Sequence, residues 1–375
     1  MKKIFLLIAG FALVFAVIKY NQPAEENTII TPAPPPSPQV AAPLEIIATG
    51  LQIPWDVDFL PDGEILVTER PGNLLVIDQE KKVIKISGVR QTAEGGLMGL
   101  AVHPEFSKNR WIYLYITSQS GRGVINRVER YRLENNDLSE RTVIIDNIPG
   151  SEVHDGGQIE FGPPTPAGSG QVEHYLYISN GDAGNQSLAQ DKNSLAGKIL
   201  RLRDDGSLPA DNPFGNAVYS MGHRNPQGLA WDSSGRLWST EHGPSGLQTG
   251  HDELNLVEKG KNYGWPLVRG DEERAGMTKP FIHSGASETW APAGLAFHNG
   301  KLYFAGLRGQ TLYAADSQNA AAGLQKFFMK TYGRLRAVKS SAEGLYFTTS
   351  NRDGRGQPKD GDDKLILVRD PGALK

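Results

Sequence analysis

From Leu44 onward the chain repeats one pattern: a short apolar strand, a turn that contains glycine, and a second strand rich in Leu, Tyr, Val or Trp. Short apolar runs bounded by turn residues predict β-strands. No long amphipathic helix interrupts them, so we predict an all-β domain over residues 44–375. Six copies of the pattern begin at Trp55, Gly99, Gly157, Gly228, Gly294 and Ala337.

The spacing of the copies favours one architecture. They lie roughly 40 to 70 residues apart, which suits four-stranded blades with unequal loops better than a solenoid of strict period. A single blade cannot bury both of its faces, so blades stack radially. We therefore predict a six-bladed β-propeller of four-stranded antiparallel blades, in which the strand at Leu44–Ala48 completes the last blade. An eight-stranded barrel or a sandwich is the alternative.

Composition supports this fold and restricts the function. Glycine accounts for 43 of 375 residues, above the usual share of about 7%, and this suits many tight turns. The net charge is -3 and no basic block occurs, so nucleic acid is not an expected partner. Cysteine is absent, which excludes disulfides and thiolate chemistry, so any metal must take oxygen or imidazole ligands.

The N-terminus has the pattern of an export signal. Lys2 and Lys3 precede an apolar run from Ile4 to Ile18, which is shorter than the ~20 residues of a spanning helix. We predict that residues 1–19 are a signal peptide or a short membrane anchor, and that the proline-rich residues 20–43 are an extended linker. Either form of the segment implies an exported domain, in the periplasm or outside the cell.

An imidazole and a carboxylate are predicted to meet at one rim of the third copy. His154 precedes its first strand, and Asp182 follows the adjoining antiparallel strand. A carboxylate bonded to one ring nitrogen fixes the tautomer and raises the basicity of the other nitrogen, as a base for a hydroxyl proton requires. A turn aspartate beside a surface histidine is the alternative.

Several arginines stand close to the same predicted end of the blades. Arg224 and Asn225 precede the fourth copy, whereas Arg308, Arg334 and Arg336 belong to the fifth and sixth. Strand alternation points the last two guanidinium groups to one side. Paired arginines repel each other unless an anion lies between them, so a ligand with several carboxylates or phosphates is expected. A solvated basic face is the alternative.

A third segment is dense in oxygen ligands. Glycine and proline at Gly243 and Pro244 expose backbone carbonyls, and Asp252 and Glu253 follow shortly afterwards. Such oxygens suit a hard cation such as Ca²⁺.

The motifs also occur in a recognisable order. They are His154-Asp-Gly-Gly-Gln, Gly181-Asp-Ala-Gly-Asn-Gln, Gly222-His-Arg-Asn-Pro-Gln-Gly, Glu241-His-Gly-Pro, Asp252-Glu-Leu-Asn, Asn262-Tyr-Gly-Trp-Pro, Ala291-Pro-Ala-Gly-Leu and Arg334-Leu-Arg. This series resembles the soluble PQQ-dependent glucose/sorbosone dehydrogenase family, nearest its aldose sugar dehydrogenase branch, over about residues 44–370. The resemblance implies a six-bladed propeller that binds pyrroloquinoline quinone (PQQ) and Ca²⁺. It also implies oxidation of the anomeric hydroxyl of an aldose to a lactone by hydride transfer to the calcium-bound quinone.

The resemblance further implies a role for each motif residue. His154 would take the proton of the anomeric hydroxyl, Asp182 would orient it, and Arg224 would stabilise negative charge on the quinone. The remaining cofactor contacts would be Asn225, Arg308, Arg334 and Arg336. The carbonyl oxygens of Gly243 and Pro244 would hold the catalytic calcium, whereas Glu253 and the backbone oxygen of Tyr263 would hold a second, structural calcium.

Two positions depart from the family pattern. Glu94 stands where the better-known members have Gln beside the quinone, and its carboxylate is expected to repel an anionic cofactor unless it is protonated or turned toward the metal. Arg308 replaces the usual Lys, which keeps the charge but changes the shape. Both are retained as predicted cofactor contacts.

Two other functions fit a propeller of this kind. A calcium-dependent lactonase would use carboxylates and amides on a central Ca²⁺ to activate water, whereas a non-catalytic propeller would bind a glycan or a protein at its rim. The dehydrogenase reading requires a small sugar as substrate and an electron acceptor, which the motifs do not specify.

Overall fold

The computed structural model describes residues 44–166, 172–244 and 250–374. The segments predicted as a signal or anchor (1–19) and as a linker (20–43) lie outside these residues. The described chain forms six four-stranded antiparallel sheets and one additional two-stranded hairpin. The prediction of a six-bladed, all-β propeller is thereby confirmed.

Each blade takes four strands, and five of the six blades are continuous in sequence. Blades 1 to 5 are β2–β5, β6–β9, β10 with β13–β15, β16–β19, and β20–β23, and blade 6 is β24–β26 with β1. The strands are β1 (Leu44–Ala48), β2 (Pro54–Phe59), β3 (Ile65–Glu69), β4 (Asn73–Ile77), β5 (Lys81–Lys85), β6 (Leu97–Val102), β7 (Trp111–Ser120), β8 (Gly123–Glu134), β9 (Asp137–Pro149), β10 (Ile159–Phe161), β11 (Thr165–Pro166), β12 (Val172–Glu173), β13 (Tyr175–Asn180), β14 (Lys198–Arg203), β15 (Val218–Met221), β16 (Pro226–Trp231), β17 (Leu237–Glu241), β18 (Glu253–Val257), β19 (Ile282–His283), β20 (Pro292–His298), β21 (Lys301–Gly306), β22 (Thr311–Asp316), β23 (Leu324–Phe327), β24 (Leu335–Ser341), β25 (Gly344–Thr349) and β26 (Leu365–Val368).

Helical structure is sparse in the described part of the chain. Its α-helix is the single turn α1 (Phe106–Asn109), and short 3₁₀ turns occupy Gln186–Gln190, Ala320–Ala322 and Pro371–Ala373. None of the helices described here is long and apolar enough to cross a membrane.

The N-terminal strand closes the ring. β1 pairs with β26 in antiparallel register, with Ile46 opposite Ile366, and the sheet order of blade 6 is β1-β26-β25-β24. Strands from the two ends of the domain therefore share one sheet, as the sequence predicted.

Glycines on the innermost strands explain why the repeat carries this residue. A Cβ at Gly99 would lie 2.2 Å from the carbonyl oxygen of Gly157, and a Cβ at Gly228 would lie 2.5 Å from that of Ala293. Inner strands of adjacent blades meet most closely around the axis, so side chains are excluded there.

Polar side chains from different blades bond across the centre of the ring. Lys339 of blade 6 contacts Glu160 of blade 3 at 2.8 Å, and Arg336 donates to Gln227 Oε1 of blade 4 at 2.7 Å. These cross-links tie the inner strands together beneath the end of the propeller at which the predicted site residues lie.

Candidate active site

His154 and Asp182 form a hydrogen-bonded pair at one rim of blade 3. His154 precedes β10 and Asp182 follows β13, and because these strands are antiparallel neighbours their ends lie side by side. His154 Nδ1 donates to Asp182 Oδ1 at 2.7 Å. This geometry leaves Nε2 as the ring nitrogen free to act on a substrate.

The carboxylate of Asp182 is held by two further donors. Gly184 N donates to Oδ1 and Trp265 Nε1 donates to Oδ2, each at 2.8 Å. Burial opposes ionisation, but the hydrogen bonds from His154, Trp265 and Gly184 outweigh it and lower the pKa of Asp182. Asp182 is therefore an ionised acceptor that fixes the imidazole of His154.

The loop before β10 needs its glycines and places His154 in a rare conformation. His154 has φ 61°, in the left-handed region, and Gly156 and Gly157 also have positive φ. A Cβ at Gly156 would lie 2.7 Å from Asn180 Cα. The motif His154-Asp-Gly-Gly thus folds the imidazole back over the end of β13.

Glu94 buttresses this loop. Its Oε2 accepts the His154 N–H at 2.9 Å, and its Oε1 accepts Arg355 Nη1 at 3.0 Å. Burial alone would raise the pKa of Glu94. The hydrogen bond from the His154 N–H and nearby cationic groups, including Arg355, outweigh this effect and lower the pKa to about 2. Protonation, one of the two conditions under which Glu94 would not repel an anionic cofactor, is therefore not met: Glu94 is ionised, and Arg355 balances its charge.

Arg224 lies over an aromatic ring beside the dyad. Its guanidinium carbon is 5.4 Å from the centre of the Trp265 ring, and Nη1 donates to the carbonyl oxygen of His242 at 3.3 Å. Burial lowers the pKa of Arg224 and lowers that of His242 to about 3, so His242 is neutral. Trp265 thus contacts both Asp182 and Arg224.

Arg334 and Arg336 are both buried, but their environments differ. Arg334 makes a salt bridge with Asp353 at 2.7 Å and donates to the Leu307 carbonyl oxygen. Among the described residues Arg336 donates to no carboxylate and donates to Gln227 Oε1 instead. Burial lowers the pKa of Arg336 to about 9. Asp353 thus neutralises the charge of Arg334, whereas the anionic ligand expected from the pair of arginines stays a prediction.

A cleft of about 380 Å³ brings most of these groups together. Its walls include Glu94, His154, Arg224, Arg308, Arg334 and Arg355, together with Gly243 and Pro244. Arg308 is exposed at the rim. Asn225 and Arg336 are not among the lining residues; Asn225 lies below the dyad, where its Oδ1 accepts Gly156 N at 3.0 Å.

The segment predicted to hold the catalytic calcium borders the same cleft. Gly243 N donates to Asp252 Oδ1 at 2.8 Å, while Asp252 Oδ2 accepts the N–H groups of Trp290 and Ala291. Within the described ranges, no group of three or more His, Asp or Glu side chains is arranged to hold a metal. A cation bound there would therefore depend mainly on backbone oxygens.

Glu253 and Tyr263 lie away from the cleft, around Glu241. Glu253 is paired with Glu241 on neighbouring strands, and burial together with the charge of Glu241 raises the pKa of Glu253 to about 8. Tyr263 stacks on His223 at 4.7 Å, and His223 Nδ1 contacts Glu241 Oε2 at 2.8 Å. Two crowded carboxylates favour a bound cation.

Sequence reasoning missed four residues of the site. Trp265 could have been recognised from its position in the Tyr-Gly-Trp-Pro motif, whereas Asp353 and Arg355 stand in a loop with no distinctive pattern. Arg70 is buried and donates to the carbonyl oxygens of Thr92 and Ala93, so it shapes the loop that carries Glu94.

Comparison with known proteins identifies the family. Residues 51–367 match the profile of the glucose/sorbosone dehydrogenases. The chain belongs to this family. It is 31% identical to the aldose sugar dehydrogenase YliI of Escherichia coli over 349 residues, which cover 83% of this chain and 91% of the relative.

A second relative and a solved structure agree with this assignment. Quinoprotein glucose dehydrogenase B of Acinetobacter calcoaceticus is 31% identical over 283 residues, which span 65% of this chain and 56% of that protein. The PQQ-bound form of an aldose sugar dehydrogenase from Streptomyces coelicolor superposes with a TM-score of 0.77 at 36% identity, over 87% of this chain and 98% of that chain. The chain is thus similar to PQQ-dependent sugar dehydrogenases of the glucose/sorbosone family.

Proposed function

We propose that this protein oxidises the anomeric hydroxyl of aldose sugars to a lactone, using PQQ and Ca²⁺ bound in the active-site cleft. The observation that carries the proposal is the His154–Asp182 pair, joined at 2.7 Å, on the wall of a cleft that also presents Arg224, Arg308 and Arg334. A base and a cluster of guanidinium groups are the two features that this oxidation needs.

His154 is the proposed base. Its Nε2 takes the proton of the anomeric hydroxyl, and Asp182 stabilises the imidazolium that forms. The buried carboxylate is ionised because hydrogen bonds lower its pKa, so it is ready to balance this charge. The hydrogen bond from the His154 backbone N–H to the Glu94 carboxylate fixes the loop from the other side.

The residues around the cleft suit PQQ, which supplies a quinone that accepts hydride. PQQ carries several carboxylates, and Arg308 and Arg334 on the cleft wall offer matching guanidinium groups. Two buried donors near the cleft, Asn225 Nδ2 and Arg336 Nε, have no partner in the described part of the chain. Such donors need an acceptor, and we assign Asn225, Arg336 and Glu94 to the surroundings of the cofactor.

Two calcium sites belong to the proposal. The carbonyl oxygens of Gly243 and Pro244 would hold the catalytic ion, because these residues border the cleft. Glu253 and the backbone oxygen of Tyr263 would hold the structural ion, and the raised pKa of Glu253 supports a cation that relieves repulsion from Glu241. Export to the periplasm or beyond is part of the same proposal, on the basis of the N-terminal sequence.

Reconstitution tests this function directly. The purified protein is incubated with PQQ and Ca²⁺ and assayed with mono- and oligosaccharides and an artificial acceptor. We expect acceptor reduction that requires PQQ, Ca²⁺ and an aldose with a free anomeric hydroxyl. Lactone hydrolysis without PQQ would favour a lactonase instead, and absence of both activities would favour a binding propeller.

A further inference from the structure

A second cleft lies beside the active site and is strongly cationic. It has a volume of about 280 Å³, and its walls include the basic side chains of Lys330, Arg334, Arg355, Lys359 and Lys364. Among the described residues that line it, Asp362 is the one acidic residue. Clefts lined by one sign of charge concentrate ions of the opposite sign.

The cleft keeps an excess of positive charge after its salt bridges are counted. Arg334 pairs with Asp353 at 2.7 Å, Arg355 with Glu94 at 3.0 Å, and Lys364 with Asp362 at 3.3 Å.

Two lysines account for the excess. Neither Lys330 nor Lys359 makes a salt bridge with any residue in the described ranges. The lining therefore offers two uncompensated cations, which suits a ligand with at least two negative charges and does not suit a neutral aldose.

This cationic cleft shares a wall with the active-site cleft. Arg334 and Arg355 line both. Arg334 is only 7% exposed and is fixed between Asp353 and the Leu307 carbonyl oxygen, so it forms a rigid partition. His154 lines the active-site cleft but not the cationic cleft. A ligand in the cationic cleft would therefore lie beside the redox site without displacing the sugar.

We propose that the cationic cleft binds a small polyanionic electron acceptor. This inference rests on the proposed function, which removes two electrons and two protons from each sugar. The electrons would pass to two molecules of a one-electron acceptor, and both protons would go to solvent, one of them by way of His154. A separate anionic site lets the acceptor approach while the sugar side of the active site turns over.

The first test measures binding without any turnover. Ferrocyanide is titrated calorimetrically into the protein as purified, for wild type and for Lys330→Glu/Lys359→Glu. The control is Lys81→Glu/Lys82→Glu, which makes the same charge change on exposed positions of the outer strand of blade 1. At about 0.15 M ionic strength long-range effects are screened. We expect affinity to fall about tenfold in the cleft variant only, as two exposed charge contacts would together produce. Equal affinities in the two variants would overturn the proposal.

The second test separates the acceptor from the cofactor and the sugar. In the PQQ-loaded enzyme, kcat/KM for ferricyanide should fall about tenfold in the cleft variant. The value of kcat/KM for the cationic acceptor phenazine methosulfate should not fall, and the Kd for PQQ should not rise. An equal loss of kcat/KM with both acceptors, or weaker PQQ binding, would overturn the inference. An altered KM for glucuronate together with normal ferricyanide kinetics would also overturn it. If no acceptor supports sugar oxidation, the proposed function fails. The ferrocyanide titration still tests the cationic cleft, because it measures binding without turnover.

Discussion

Replacing Asp182 with asparagine tests whether a carboxylate must hold the imidazole of His154. Asp182 accepts hydrogen bonds from His154 and Gly184 on one oxygen and from Trp265 on the other. All three partners donate, whereas an amide accepts through only one of its two terminal atoms. In Asp182→Asn, either the imidazole or the indole must therefore lose its acceptor.

In either orientation of the amide the imidazole loses its charged partner, and the size of the effect follows from this loss. A hydrogen bond to a charged group contributes about 1.5–3 kcal/mol, and each 1.4 kcal/mol changes a rate about tenfold. We expect the rate of sugar oxidation to fall roughly 10- to 150-fold in Asp182→Asn. The matched control is Trp265→Phe, which removes only the indole donor and keeps an aromatic ring under Arg224; its rate should fall less than about fivefold.

The assay is a single turnover. Enzyme loaded with PQQ and Ca²⁺ is mixed with glucose in a stopped-flow instrument without an acceptor, and the PQQ Kd is measured separately. A wild-type rate in Asp182→Asn would refute the orienting role. So would an equal loss in Trp265→Phe, because the two variants differ in whether the carboxylate remains.

Two further outcomes follow from the same site. His154→Asn, chosen because asparagine tolerates the left-handed backbone, should lower kcat roughly 10²- to 10⁴-fold with an unchanged PQQ Kd; near-normal turnover contradicts the base role. Burial raises the pKa of Asp155 to about 7, so its folded form keeps a proton that the unfolded chain loses. Asp155 should therefore add to the pH profile of wild-type stability a decrease of about 4 kcal/mol between about pH 4 and pH 7. Asp155→Asn should lack this decrease and be the more stable protein at pH 8 in urea unfolding; equal pH dependence contradicts the assignment.

The fold was predictable because its requirements are local. Each copy of the repeat supplies an inner strand, a turn and a second strand, and glycines such as Gly99 and Gly228 stand where inner strands approach each other. Closure by β1 followed from an unpaired apolar strand ahead of the first copy. The three long strands of blade 2, from Trp111 to Pro149, are longer than the apolar pattern predicted. Apolar and polar residues alternate less regularly in the extended parts of these strands.

Contacts within the site could be predicted only between residues that flank neighbouring strands. His154 and Asp182 flank neighbouring antiparallel strands, so their meeting could be inferred. Glu94 and Arg355 are 261 residues apart. They meet because the loop between blades 1 and 2 and a loop of blade 6 both reach the active-site cleft. No spacing in the sequence encodes that contact, so the sequence did not predict that Arg355 balances the charge of Glu94.

The most direct test of the central claim is a titration of the protein with PQQ in the presence of Ca²⁺. We expect saturable binding of one PQQ per chain, weakened by at least about tenfold in Arg334→Ala/Arg336→Ala, since each charge-assisted contact contributes about 1.5–3 kcal/mol. We also expect a change in the PQQ spectrum when glucose is added. Binding that is absent, or equally strong without the two arginines, would contradict this claim.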